Sequence, residues 1–152
     1  MTNLRKLQPS RKLPQVGDVF TFLLCDGKYT FGQVLDAGVV VDGGFRDLAL
    51  VVVFASRSKT KDMPPNLVTS ERIASPKLIP KVAWSRGYFE TIGRAPVEWG
   101  PYCLKAAWGD YFDRTGKKLS KPLGMVLSMG VANYRVIEDE VCEWLGIPLS
   151  PD

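Results

Sequence analysis

Residues 17–35, GDVFTFLLCDGKYTFGQVL, hold two aromatic-rich runs that meet at Asp26-Gly27. Asp-Gly between alternating apolar residues signals a tight antiparallel hairpin, because both residue types tolerate positive φ. Closed by a two-residue turn, the hairpin sets Cys25 opposite Lys28, Leu24 opposite Tyr29, Phe22 opposite Phe31 and Phe20 opposite Gln33. Side chains alternate between the faces of a strand. This register therefore gathers Phe20, Phe22, Leu24, Tyr29 and Phe31 on one face, and Val19, Thr21, Leu23, Lys28 and Thr30 on the other. The first face reads as a core wall built from cross-strand aromatic pairs. The second, of mixed polarity, reads as partly covered.

Working outward, GVVVDGGFRDLALVVVFAS (38–56) offers two more strands joined at Gly43-Gly44. Leu48 to Phe54 is an almost unbroken β-branched run, as expected of a central strand buried on both faces. SRSKTKDMPPN (56–66) is a polar loop, and LVTSERIAS (67–75) has room for one short helix or turn before Pro76. Pro80 makes KLIPKVAWS (77–85) an edge strand. GYFETIGRAP (87–96) reads as a short strand turning at Gly93, and AAWGDYFDRTGKKLS (106–120) as a hairpin turning at Asp113 to Gly116. YRVIEDEVCEWLG (134–146) places Ile137, Val141, Trp144 and Leu145 at helical spacing, with carboxylates opposite and Gly146 and Pro148 as stop signals. The expected fold is α+β: a mostly antiparallel twisted sheet, open or partly closed into a small barrel, with this C-terminal helix packed on it. Residues 1–13 are expected as a flexible basic tail, and residues 14–152 as a single domain.

Composition narrows the function. A chain of 152 residues can bury a sizeable core without staples. Three cysteines, Cys25, Cys103 and Cys142, form no CxxC pair, which argues against a disulfide framework and a thiolate metal site. The longest apolar run, LALVVVFA, is too short to cross a bilayer, and no apolar segment follows the basic start, so a cytoplasmic protein with no membrane partner is expected. The chain has no histidine, so Ser-His-Asp and Cys-His couples and imidazole-ligated zinc are excluded. No P-loop or dinucleotide fingerprint is present, and neither cofactor nor metal is implied. Ser56 and Lys59 have SxxK spacing but sit in a charged loop, where a buried helix start would be needed. Asp110 and Asp113 form a carboxylate pair that reads as a wet hairpin tip. No catalytic residue is assigned.

The surface offers better candidates. The net charge of +4 is unevenly spread, with basic residues in the tail and in the 57–61 loop, and Glu138, Asp139, Glu140 and Glu143 on the helix. Aromatic residues together with arginine are enriched at protein-protein hot spots. Arg86, Tyr88 and Trp108, with Glu138, Asp139 and Glu143 of the helix, are thus the candidate partner-binding residues. The tryptophans could also stack bases, but no nucleic-acid signature accompanies them, and the sequence argues against that partner.

VGDVFTFLLCDGKYTFGQVL resembles the opening of the immunity protein 26 family, with Gly17, Asp18, Phe20, Asp26, Gly27, Tyr29, Gly32, Val34 and Leu35 matching as they stand. LVVVF, IASPKLIPKV and the Ile92, Gly93 and Pro96 of GYFETIGRAP match further along, with Phe89 where a tryptophan is more usual; the resemblance spans roughly residues 14–104. It implies a cytoplasmic antidote encoded beside a bacterial polymorphic toxin, acting by binding that protein and not by catalysis. The family label is shared with a small phosphotriesterase, so a hydrolase is the alternative that the resemblance carries, and a nucleic-acid-binding small barrel is a third. The resemblance brings no catalytic residues with it, and the oligomeric state stays open. A cationic toxin would be met by the face bearing Glu138, Asp139 and Glu143.

Overall fold

The computed structural model describes residues 2–41 and 44–151, so Gly43 of the expected Gly43-Gly44 turn lies outside the described residues. In chain order the elements are β1 (Leu4–Arg5), β2 (Asp18–Leu24), β3 (Tyr29–Val41), β4 (Phe45–Ser58), a 3-10 turn at Leu67–Thr69, β5 (Lys77–Ile79), α1 (Val82–Ser85), β6 (Glu90–Arg94), β7 (Tyr102–Lys105), β8 (Tyr111–Phe112), β9 (Lys118–Leu119), β10 (Met125–Ser128) and α2 (Tyr134–Leu145). Among the described residues, β1 to β5 pair in sequence order as an antiparallel sheet, and β6 joins the edge of β2. A smaller sheet has the order β10-β7-β8-β9, with β10 parallel to β7. The large sheet does not close on itself. The fold is α+β, mostly antiparallel, with the C-terminal helix on the sheet.

The first hairpin departs from the expected register, and the cause is one backbone angle. Gly27 has φ +79, but Asp26 does not take positive φ, so a two-residue turn cannot form. Instead the Leu24 N–H donates to the Lys28 carbonyl at 3.2 Å and the Gly27 N–H to the Leu24 carbonyl at 3.0 Å, leaving a three-residue loop with glycine in the left-handed position. Arg57 of β4 grips the Asp26 carboxylate with two nitrogens at 2.8 and 2.9 Å, fixing the loop from outside. The register slips by one: Phe20 faces Gly32, Phe22 faces Thr30, Thr21 faces Phe31 and Leu23 faces Tyr29. Tyr29 and Phe31 therefore leave the Phe20 face and join Val19 and Thr21 on the other.

The slip costs no burial because both faces are covered. Phe20, Phe22 and Leu24 pack with Trp84, Phe89 and the α2 residues Ile137, Val141 and Cys142. Val19 and Phe31 pack with Leu104, Phe112, Leu127 and Met129 around the small sheet. The molecule is thus layered as small sheet, large sheet and helix. β4 lies between β3 and β5 as expected: Leu48, Leu50, Val52 and Phe54 enter one core and Ala49, Val51 and Val53 the other. Gly32 is required by a close approach, since a Cβ there would stand 2.7 Å from the Val52 carbonyl oxygen and closer still to the tip of the Phe20 ring. The phenylalanine lies over the glycine that faces it.

Other expectations are met or adjusted locally. β5 is an edge strand, as Pro80 requires, but VAWS after it forms the single turn α1. Gly93 lies inside β6 and makes no turn. The Asp113 to Gly116 turn forms, its carboxylate accepting from Thr115 N and Lys117 N. Asn133 caps α2 by accepting from Arg135 N and Val136 N, and Gly146 ends it with φ +72. Trp144, expected on the buried face, is 48% exposed. Residues 2–13, expected as a flexible tail, lie against the fold: β1 pairs with the end of β2, Leu4 is buried, Leu7 N donates to Gly87 O at 2.7 Å and Ser10 N to Trp84 O at 3.0 Å.

Candidate functional site

The residues singled out from the sequence divide between two opposite layers. Arg86 and Tyr88 follow α1 on the helix side, where the Arg86 Nη1 donates to the Tyr134 hydroxyl at 3.1 Å and the Tyr88 and Tyr134 rings lie 4.9 Å apart. Trp108 sits in the β7–β8 connection of the small sheet, 63% exposed, with its Nε1 donating to Asp110 at 2.9 Å. These groups do not converge.

The acidic face of α2 is smaller than its sequence suggests. Glu138 is fully buried and turned inward, accepting from the Thr2 hydroxyl and, at 2.9 Å, from the Asn3 N–H, with Arg135 Nε at 3.8 Å. It cannot meet a partner, which corrects its place among the surface candidates. Glu140 lies 3.3 Å from Lys77. Asp139 is half-buried, and Glu143 is exposed at the C-terminal end of the helix.

The small sheet carries what the helix lacks. Trp108, Leu123, Met125 and Val126 are all between 43% and 63% exposed, large apolar side chains within one twenty-residue stretch. Beside them runs an open groove of about 660 Å³, lined by Lys105, Trp108, Val126, Leu127, Ser128 and Met129 among others. Lys105 lines it and is exposed; Lys117, Lys118 and Lys121 are exposed on and next to β9, the other edge of the small sheet. The two carboxylates of the region are occupied, Asp110 by Trp108 and Lys118, and Asp113 by its own turn. The result is an open, largely apolar groove with Lys105 at its rim. Only Trp108 of this patch was singled out from sequence; GMVLSMG (124–130), a short apolar run between glycines, was its other visible signal.

A polar clamp joins the small sheet to the large one. Asp36 of β3 accepts from the Tyr102 hydroxyl at 2.6 Å and from Arg114 Nε at 2.7 Å, and Arg114 Nη2 also donates to the Ala37 carbonyl. Burial alone would raise the Asp36 carboxyl, but Arg114, Tyr102 and the Ala37 N–H together hold it below the ordinary carboxylate range. Burial first, and then the Asp36 carboxylate, push the Tyr102 phenol well above its usual value. The signs follow by linkage. The Asp36 contribution to stability is present above about pH 4 and lost as pH falls through its depressed folded value; the Tyr102 contribution is present below about pH 10 and lost above it. We expect the urea midpoint to drop on acidification from pH 5 to pH 2, and Arg114→Gln to lose about 1 kcal/mol near neutrality, after discounting for its exposure, with a shallower acid decline. A variant with the wild-type acid profile would exclude the clamp as a source of that decline.

Chemistry of other kinds finds little purchase. Ser56 lies within β4 and not at a helix start. Among the described residues no group of three or more Asp, Glu or Cys could hold a metal ion, and no helix is long and apolar enough to cross a membrane.

A protein-family model described as Immunity protein 26 matches residues 15–121. The chain belongs to the immunity protein 26 family. The match runs from the first hairpin through β9, further than the signature motifs reach, and so takes in most of both sheets. No curated protein and no solved structure matches the chain. Residues that carry the resemblance are now legible as fold-forming, since Gly27 makes the loop and Gly32 admits Phe20; Phe89, at the position where a tryptophan is more usual, stacks on both Phe20 and Phe22. β10 and α2 lie beyond the match.

Proposed function

We propose that this chain is a cytoplasmic antidote that binds a cognate bacterial polymorphic toxin and blocks it by occlusion, with no covalent chemistry of its own. The observation that carries the reading is membership of the immunity protein 26 family over residues 15–121. The geometry supports a binding role through the small-sheet patch. A standard interface takes about 800 Å² from each partner, roughly a tenth of this chain's 8129 Å², so one toxin cannot cover both outer layers. Of the two, the small-sheet face offers exposed Trp108 and Val126 along one groove, large apolar anchors of the kind on which hot spots are built. Arg86, Tyr88, Asp139 and Glu143 form the competing face on the helix side.

The test is co-expression with the polypeptide encoded beside this chain, scoring growth rescue and recovery of a stable complex. Failure of both would sink the reading. Within a complex, Trp108→Ala is expected to weaken binding by about 2 kcal/mol, roughly thirtyfold, while Glu143→Lys leaves affinity within about twofold. The reverse pattern would move the interface to the helix.

A further inference from the structure

We infer that β10 accepts strand addition: an extended, acidic segment of the toxin pairs with its free edge. This rests on the toxin-binding reading above and adds the mode of contact and the chemistry of the bound segment.

The argument begins with unpaired backbone. β10 ends the small sheet and pairs on one side only, with β7. Met125 N donates to Pro101 O and Met129 N to Lys105 O, so alternate N–H groups point to β7. By the period of a strand, those of Val126 and Ser128 point to the open side. Proteins normally guard such edges with proline, lysine or bulges. The other edges here follow that rule. β5 lies between Pro76 and Pro80 and carries Lys77; β9 begins with Lys118 and is followed by Lys121 and Pro122; β6 meets β2 across a register shift. β10, with sequence MVLS, has no proline and no charge. Its edge is the unguarded one among these strands.

Space and charge then define the occupant. Val126, Leu127 and Ser128 border the 660 Å³ groove on one side and a slot of about 390 Å³ on the other, whose far wall includes Ser75 to Leu78. A chain laid along β10 would have room for its side chains on both sides. Lys105 is the register partner of Ser128, so its ammonium stands on the face that Val126 and Ser128 present. Lys105 lines the groove and sets the local field, and the carboxylates of Asp110 and Asp113 are already occupied. An acidic segment complements this field. A second copy of the chain would bring like charge against like. Nucleic acid fits less well, because β10 offers an unpaired backbone ladder and aliphatic side chains, with Trp108 the one strongly exposed indole nearby.

Val126→Pro removes an outward N–H while leaving the β7 ladder intact, and Lys105→Glu reverses the local charge. In complexes with the neighbour-encoded polypeptide, each variant is expected to bind about tenfold more weakly than wild type, with unchanged thermal unfolding of the free protein. In the wild-type complex, hydrogen exchange at the Val126 and Ser128 amides should slow relative to the free chain; this measurement stands even if the proline variant folds poorly. A stable complex with both amides exchanging as in the free protein and Lys105→Glu binding normally overturns the inference and leaves toxin binding intact. Absence of any complex or rescue removes both. Protection of the same amides in the isolated protein, with mass rising with concentration, would make the occupant a second copy. Steeply salt-dependent quenching of Trp108 by a single-stranded oligonucleotide, with no complex, would make it nucleic acid.

Discussion

Phe20→Ala is expected to lower unfolding free energy by about 3–5 kcal/mol, a large share of the 5–15 kcal/mol typical of a domain. Phe20 has no exposed surface and holds three neighbours at once. Its ring stacks on Phe89 at 4.7 Å, meets the edge of Trp84 at 5.3 Å and lies over Gly32 across the strand pair. Phe22 and Trp84 also contact Phe89, at 5.1 and 5.4 Å, so the vacated volume is walled by rings that cannot readily rotate into it. The glycine opposite adds no side chain to refill the space. Urea denaturation should show a lower midpoint at unchanged slope. Phe45→Ala, at a ring that is 54% exposed, serves as the control and should shift the midpoint little. A Phe20→Ala loss below about 1 kcal/mol would mean that the cluster collapses around the hole.

That hairpin also marks where local patterns stop being informative. Its existence was legible, because Asp-Gly between apolar runs leaves the chain few alternatives. Its register was not, because it turns on whether Asp26 takes positive φ, and the Arg57 grip that favours the three-residue loop comes from β4. A slip of one residue moves every side chain to the other face. Here it merely exchanged one core for another, since the run Leu48–Phe54 already implied a sheet covered on both sides. The Gly146 stop of α2 is local chemistry and was read from the sequence; the Asn133 cap, equally local, was not singled out there. VAWS and MVLS, four residues each, are too short for periodicity to separate helix from strand. The patch that best fits a partner therefore showed only through Trp108. Its edge strand depends on β7, which lies twenty residues earlier in the chain.

Glu138→Ala is expected to cost about 3 kcal/mol and to loosen the N-terminal segment, although the residue looks like one more surface carboxylate of an acidic helix. The substitution leaves the Asn3 N–H and the Thr2 hydroxyl without their acceptor and Arg135 without the carboxylate beside it. Asn3 connects further: its Nδ2 reaches the Pro148 carbonyl at 2.9 Å and Cys142 Sγ at 3.5 Å, so the same anchor fastens the start of the chain to the stretch after α2. Just beyond it, β1 covers the edge of β2 and Leu4 fills the core. Amide exchange should accelerate at Asn3, Leu4 and Arg5 in the variant; Glu138→Gln, which keeps one acceptor oxygen, should lose less, and Glu143→Ala on the exposed side nothing measurable. Equal effects from Glu138→Ala and Glu143→Ala would mean that the buried anchor carries no special weight. This separation bears on function too. On the proposed function, reversing the charge at Glu138 would weaken binding by destabilising the fold, whether or not the helix touches the partner. Glu143 is the helix position at which loss of binding can be read as loss of an interface.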